Sequence, residues 1–124
     1  MSDPLFEIGS HSEAHRNLRL LKGAALTEEI AGPQRSFETI RDEFAQGQCV
    51  AQHGAAAAKI AHRLALFRFP YGACNAPSLN AVNDAGLLAI QWDLSTGDPS
   101  PAQSAKAIVR SLQQAKPGAI VVMS

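Results

Sequence analysis

Long hydrophobic runs are missing from this chain: no stretch approaches the roughly 20 apolar residues that a membrane-spanning helix requires. A basic stripe is missing too. Eleven Lys and Arg balance eleven Asp and Glu for a formal charge of zero, and no cluster of cations offers the surface on which nucleic acid binds. Cysteine is scarce. Cys49 and Cys74 stand far apart without CxxC spacing, which suits two buried or idle thiols better than a disulfide framework or a zinc knuckle. The first residues, MSDPLFEIG, lack the charged, apolar and small-residue regions of a secretory signal. There is no repeat, and no low-complexity linker apart from the alanine run at 55–58. The composition therefore predicts one soluble, unexported domain over residues 1–124, cytoplasmic as written, with neither nucleic acid nor membrane as partner.

What is present is an alternation of apolar strands and helices. LFEIG reads as a short buried strand ending at Gly9. Ile30, Phe37, Ile40 and Phe44 keep helical spacing, with Gly32 and Pro33 placed to break the segment before Gln34. GAAAAKIAHRLA is a second helical stretch, rich in alanine. LALFRF is the second strand, stopped by Pro70. After the loop YGACNAP, Asn75 or Ser78 caps a helix with Pro77 in its first turn and Gly86 at its stop. LLAIQW is the third strand and DLSTGDPSP a loop. Ser100 and Pro101 start a helix with Ala105, Ile108, Val109 and Leu112 on one face. KPG breaks it, and AIVVM is the fourth strand. Strands separated by helices predict an α/β fold of parallel βα units, whose ligands gather at the C-terminal strand ends.

The polar residues of interest fall at those ends. In EIGSHSEAH, His11 and His15 are four apart, the separation that on a helix brings two rings within reach of one metal. The zinc-protease pattern HExxH is excluded, because Ser12 follows the first histidine. A capped helix start with two partly exposed histidines fits the same spacing. RFPYG places Arg68 beside a proline-fixed turn where free backbone amides can point at an anion or a developing oxyanion, and it is also the pattern of an ordinary turn. WDLSTGDP carries Asp93 and Asp98, which suit pairing to Arg68, orienting a histidine, or capping a turn. His53 and His62 lie on the alanine-rich stretch, as solvated or packing residues.

In order, GSHSEAH, RFPYG, WDLSTGDPSP and GAIVVMS resemble the motifs of the polysaccharide deacetylases, carbohydrate esterases that share the nodulation-protein-B homology domain. That family writes H-(S/T)-x-x-H after one strand, R-x-P-Y after another, an aspartate loop after a tryptophan strand, and a histidine after a final apolar strand. The resemblance runs from about Leu5 to Ser124. It implies part of a distorted (β/α) barrel and hydrolysis of acetyl groups on N- or O-acetylated sugars or oligosaccharides with a divalent metal, most often zinc. By position, His11 and His15 match the histidine ligands. Arg68 matches the arginine that holds the catalytic aspartate, and Tyr71 the residue whose amide stabilises the oxyanion. Asp98, rather than Asp93, matches the carboxylate that orients the acid histidine.

Two family motifs have no counterpart here. The threonine-phenylalanine-aspartate-aspartate stretch, which supplies the base and a third ligand, is absent, and Asp3 lies at the far end of the expected first strand from His11. The acid histidine after the last strand is absent as well. The expectation is a truncated deacetylase, weak or inactive alone, associating through an unpaired strand edge as a homo-oligomer. The alternatives are a degenerate domain that binds metal, glycan or a partner chain, and the branch of the fold that hydrolyses C–N bonds of small nitrogen compounds.

Overall fold

A computed structural model describes residues 3, 5–47, 51, 52, 54, 55 and 58–123. They divide into two units, Met1–Ile90 and Gln91–Ser124. The expectations at Cys49 and His53 lie outside the described residues; Cys74 is an exposed free thiol, not a buried one.

The first unit is organised by helix α1, Gly23–Gln46, which runs uninterrupted through Gly32 and Pro33. The break expected there does not occur. Proline at 33 removes the amide that would bond the Glu29 carbonyl four residues back, and the backbone amide of Glu13 donates to that carbonyl instead, at 3.2 Å. Leu26 and Ile30 are buried, and Phe37 and Phe44 half-buried. Ile40, expected on this face, is exposed.

The alanine-rich stretch forms less helix than its composition predicts. Residues 51, 52, 54 and 55 are helical, but the chain turns at Ala58 and Lys59 and is non-helical from 60 to 65. Tertiary bonds explain the difference. Gln34 on α1 accepts from the Leu64 amide at 2.9 Å and donates to the His62 carbonyl at 3.3 Å, and the Arg41 guanidinium donates to His62 Nε2 at 3.1 Å. His62, expected as a solvated or packing residue, is exposed and hydrogen-bonded.

Strand β1, Leu66–Phe67, pairs in parallel with β2, Leu88–Ala89, in the register Leu66 to Leu88 and Phe67 to Ala89. The strand expected at LFEIG reduces to one parallel bridge between Ser10 and Phe67. The Ser10 amide donates to the Leu66 carbonyl at 2.7 Å, and the Arg68 amide to the Ser10 carbonyl at 2.8 Å. Gly9 permits this approach, since a Cβ there would stand 3.3 Å from the Leu66 carbonyl oxygen. Leu5 and Phe6 remain exposed.

Helix α2, Ala76–Asp84, begins as its sequence dictates. Asn75 accepts from the Ser78 amide, Ser78 closes the reciprocal half of the capping box, and Pro77 occupies the first turn. The chain leaves through Gly86 at φ +77°. Leu18, Leu26, Ile30, Phe67, Phe69 and Val82 form the core of this unit, and each such buried side chain contributes about 1.5–3 kcal/mol. Phe67 and Phe69 meet edge to face, their centroids 5.1 Å apart.

In the second unit, β3, Leu94–Ser95, pairs in parallel with β4, Val121–Val122. The sequence places a loop where β3 lies. Helix α3, Ala105–Leu112, starts at Ser104, whose hydroxyl accepts from the Ala107 amide at 3.2 Å. Ser100 and Pro101 lie in the preceding turn. Ile108 and Leu112 are half-buried as expected, whereas Ala105 and Val109 are exposed. Every strand pairing among the described residues is parallel, which bears out the α/β class with strands shorter than predicted. Among the described residues no helix is long and apolar enough to cross a membrane.

Candidate functional site

The histidine pair sits at the end of the Ser10 bridge, in a loop rather than on a helix. Ser12 and His15 adopt φ +71° and +54°, and the Ser12 hydroxyl accepts from the His15 amide at 3.0 Å. These two left-handed residues fold the loop back and bring the His11 and His15 rings to 4.9 Å between centroids, at 71° to each other. The proximity that helical spacing predicted is therefore achieved by different means. Left-handed backbone costs a non-glycine residue about 1–3 kcal/mol, and among the described residues only Ser12, His15 and Tyr71 carry it.

The rest of the cluster comes from the end of β1. His11 Nδ1–H donates to the Arg68 carbonyl at 2.8 Å. A carbonyl on Nδ1 leaves Nε2 as the nitrogen for a metal, the arrangement by which a carbonyl orients a metal-ligating imidazole. Pro70 starts a single 3₁₀ turn, Pro70–Gly72, with Tyr71 at φ +60°. The Tyr71 ring is exposed and lies 4.7 Å from the His15 ring, edge to face. Four of the five predicted site residues, His11, His15, Arg68 and Tyr71, are thus brought together within the first unit. Arg68 joins through its main chain.

The fifth, Asp98, belongs to the second unit. It is half-buried and accepts a hydrogen bond from the hydroxyl of Thr96, which is 1% exposed. Gln103 Nε2 donates to the Thr96 carbonyl at 2.7 Å and so braces the same loop. Asp93 is taken up by the sheet: its Oδ2 accepts from the Ile120 amide at 2.9 Å, and its amide donates to the Ile120 carbonyl.

Sequence reasoning missed Glu29. This carboxylate is 4% exposed on α1, and its Oε2 accepts from the Ala14 amide at 3.0 Å, inside the histidine loop. The signal was present as Pro33, four residues downstream.

The donor chemistry suits a divalent metal, since two imidazoles converge and one has its tautomer fixed by a carbonyl. Among the described residues no group of three His, Cys, Asp or Glu side chains converges. Fold and loops together define an α/β unit with a histidine loop at a strand end, as the resemblance implies.

The comparisons agree. A chitooligosaccharide deacetylase of Azorhizobium caulinodans is 28% identical over 116 residues, covering 94% of this chain and 47% of that protein. The structure of a family 4 carbohydrate esterase from Streptomyces lividans superposes with a TM-score of 0.70 at 26% identity, over 94% of this chain and 50% of the esterase. A CE4 family pseudoenzyme from Bacillus anthracis shares the fold, with a TM-score of 0.68 at 19% identity over 94% of this chain and 35% of its own. No family model matches. The resemblance to the polysaccharide deacetylases is thereby borne out, for a chain that spans about half the length of the deacetylase and of the esterase.

Proposed function

We propose that the chain carries part of the site of a metal-dependent hydrolase that removes acetyl groups from N- or O-acetylated carbohydrate, on a portion of a distorted (β/α) barrel. The observation that carries this reading is the convergence of His11 and His15 with His11 Nδ1–H held by the Arg68 carbonyl. His11 and His15 would hold a divalent metal, most suitably zinc, which when bound would supply polarisation of the acetyl carbonyl and activation of the attacking water. The left-handed Tyr71 turn directs a backbone amide toward the oxyanion that develops on the acetyl carbon's oxygen. Arg68 and Asp98 orient the base and the acid of the reaction. Neither of those two groups has a counterpart in the 124 residues, and each absent proton-transfer function typically costs ~10²- to 10⁴-fold.

Titration with zinc tests the reading, followed by acetate release from acetylated chitooligosaccharides. One zinc per chain is expected, with turnover near background for these residues alone. Retention of stoichiometric zinc by the His11→Ala, His15→Ala double variant removes the metal assignment. Strong turnover that survives the same double variant removes the site altogether.

A further inference from the structure

One residue grips the histidine loop twice. The Glu29 main-chain carbonyl, left open by Pro33, accepts from the Glu13 amide at 3.2 Å, and the Glu29 side chain accepts from the next amide, Ala14, at 3.0 Å. Both amides lie between His11 and His15. The carboxylate lies on the core face of α1, in sequence between Leu26 and Ile30, where an apolar side chain would incur no desolvation. Its ionic partner does not account for it there: Arg16 Nε stands 3.9 Å away with its side chain 53% exposed, and such pairs contribute little. The loop it holds is strained at Ser12 and His15, and strained backbone persists only where its surroundings over-determine it.

We propose that Glu29 is the positioning residue of the histidine loop, holding the Glu13 and Ala14 amides so that the His11 and His15 rings stay converged for a divalent cation. This rests on the metal reading above. The hydrogen-bonding oxygen, rather than the charge, does the positioning. Glutamine at 29 therefore conserves the function, and alanine removes it while leaving the main-chain half of the grip.

The test measures zinc affinity by calorimetry on the full chain for wild type, Glu29→Ala and Glu29→Gln, with far-UV circular dichroism to confirm folding. Amide hydrogen exchange at Glu13 and Ala14 is followed without metal. Glu29→Ala is expected to weaken zinc binding ~10- to 100-fold, the usual cost of losing an outer-sphere support. Ala14 exchange should accelerate in the same variant. Glu29→Gln should restore most of both. Unchanged affinity in a folded Glu29→Ala protein overturns the proposal, as does a Glu29→Gln protein no better than Glu29→Ala. If wild type takes up no zinc, the metal reading fails by itself. The metal-free exchange then decides the positioning role: faster Ala14 exchange in Glu29→Ala, reversed in Glu29→Gln, sustains it, and equal exchange in all three proteins overturns it.

Discussion

The loop from His11 to His15 is fastened by bonds that reach 57 positions along the chain to Arg68 and 15 to Glu29. In the loop around Asp98, the bonds from Thr96 to Asp98 and from Gln103 to Thr96 span two and seven positions. The first loop inherits its geometry from the core beneath it, because Leu66 and Arg68, the residues that grip Ser10, flank the fully buried Phe67. The second is set by turn chemistry on a base held by the sheet, where the Thr96 amide donates to the Val122 carbonyl at 3.3 Å. Core substitutions in the first unit should therefore reach its site, whereas the Asp98 loop should respond chiefly to its own side chains.

The largest effect is expected from Phe67→Ala. Removing a fully buried aromatic costs about 3–5 kcal/mol, read as a lower urea midpoint, and zinc binding should fall with it because the Ser10 bridge loses its backing. A normal affinity in a destabilised Phe67→Ala protein would break the link between core and loop. Next come His11→Ala and His15→Ala, each expected to weaken zinc binding by about 100-fold or more. His62→Ala, whose ring is engaged by Arg41, should leave the affinity unchanged. Thr96→Val removes the hydroxyl that donates to Asp98 and is expected to cost about 1–3 kcal/mol, measured by thermal melting. A neutral result would mean that Asp98 is held by its other contacts. Asn75→Ala deletes half of a capping box, for about 1 kcal/mol. The smallest effect is assigned to Gly32→Ala. The added Cβ would stand 2.7 Å from Glu13 Oε2, but that carboxylate belongs to an exposed side chain free to move aside. The change in melting free energy should stay within about 1 kcal/mol, helix propensity offsetting the contact.

The sequence was most legible where local chemistry decides the outcome. Asn75, Pro77 and Ser78 start α2 as read, because capping and proline preference act within one turn. It was least legible where distant groups intervene. Pro33 reads as a breaker until the Glu13 amide is known to occupy the Glu29 carbonyl, and residues 58–65 read as helix until Gln34 and Arg41 are seen to hold 62–64 in another form. At the candidate site, His11, His15, Arg68 and Tyr71 were legible from their order at strand ends. That the two histidines meet across a left-handed loop was not. Spacing alone does not distinguish a helical turn from a folded-back strand end, and Glu29 acts through main-chain atoms whose positions no residue pattern spells out.

The bond from His11 Nδ1 to residue 68 ends on a peptide oxygen, which every amino acid supplies. Genetics can therefore separate two roles that share one position. Replacing Arg68 by alanine or glutamine strips the guanidinium while the imidazole keeps its tautomer and aim. Zinc affinity should then hold, so that any change in stability on thermal melting reports the cation alone. Proline is the contrasting substitution: without an amide at 68 the bond to the Ser10 carbonyl is lost, and main-chain and side-chain roles collapse together.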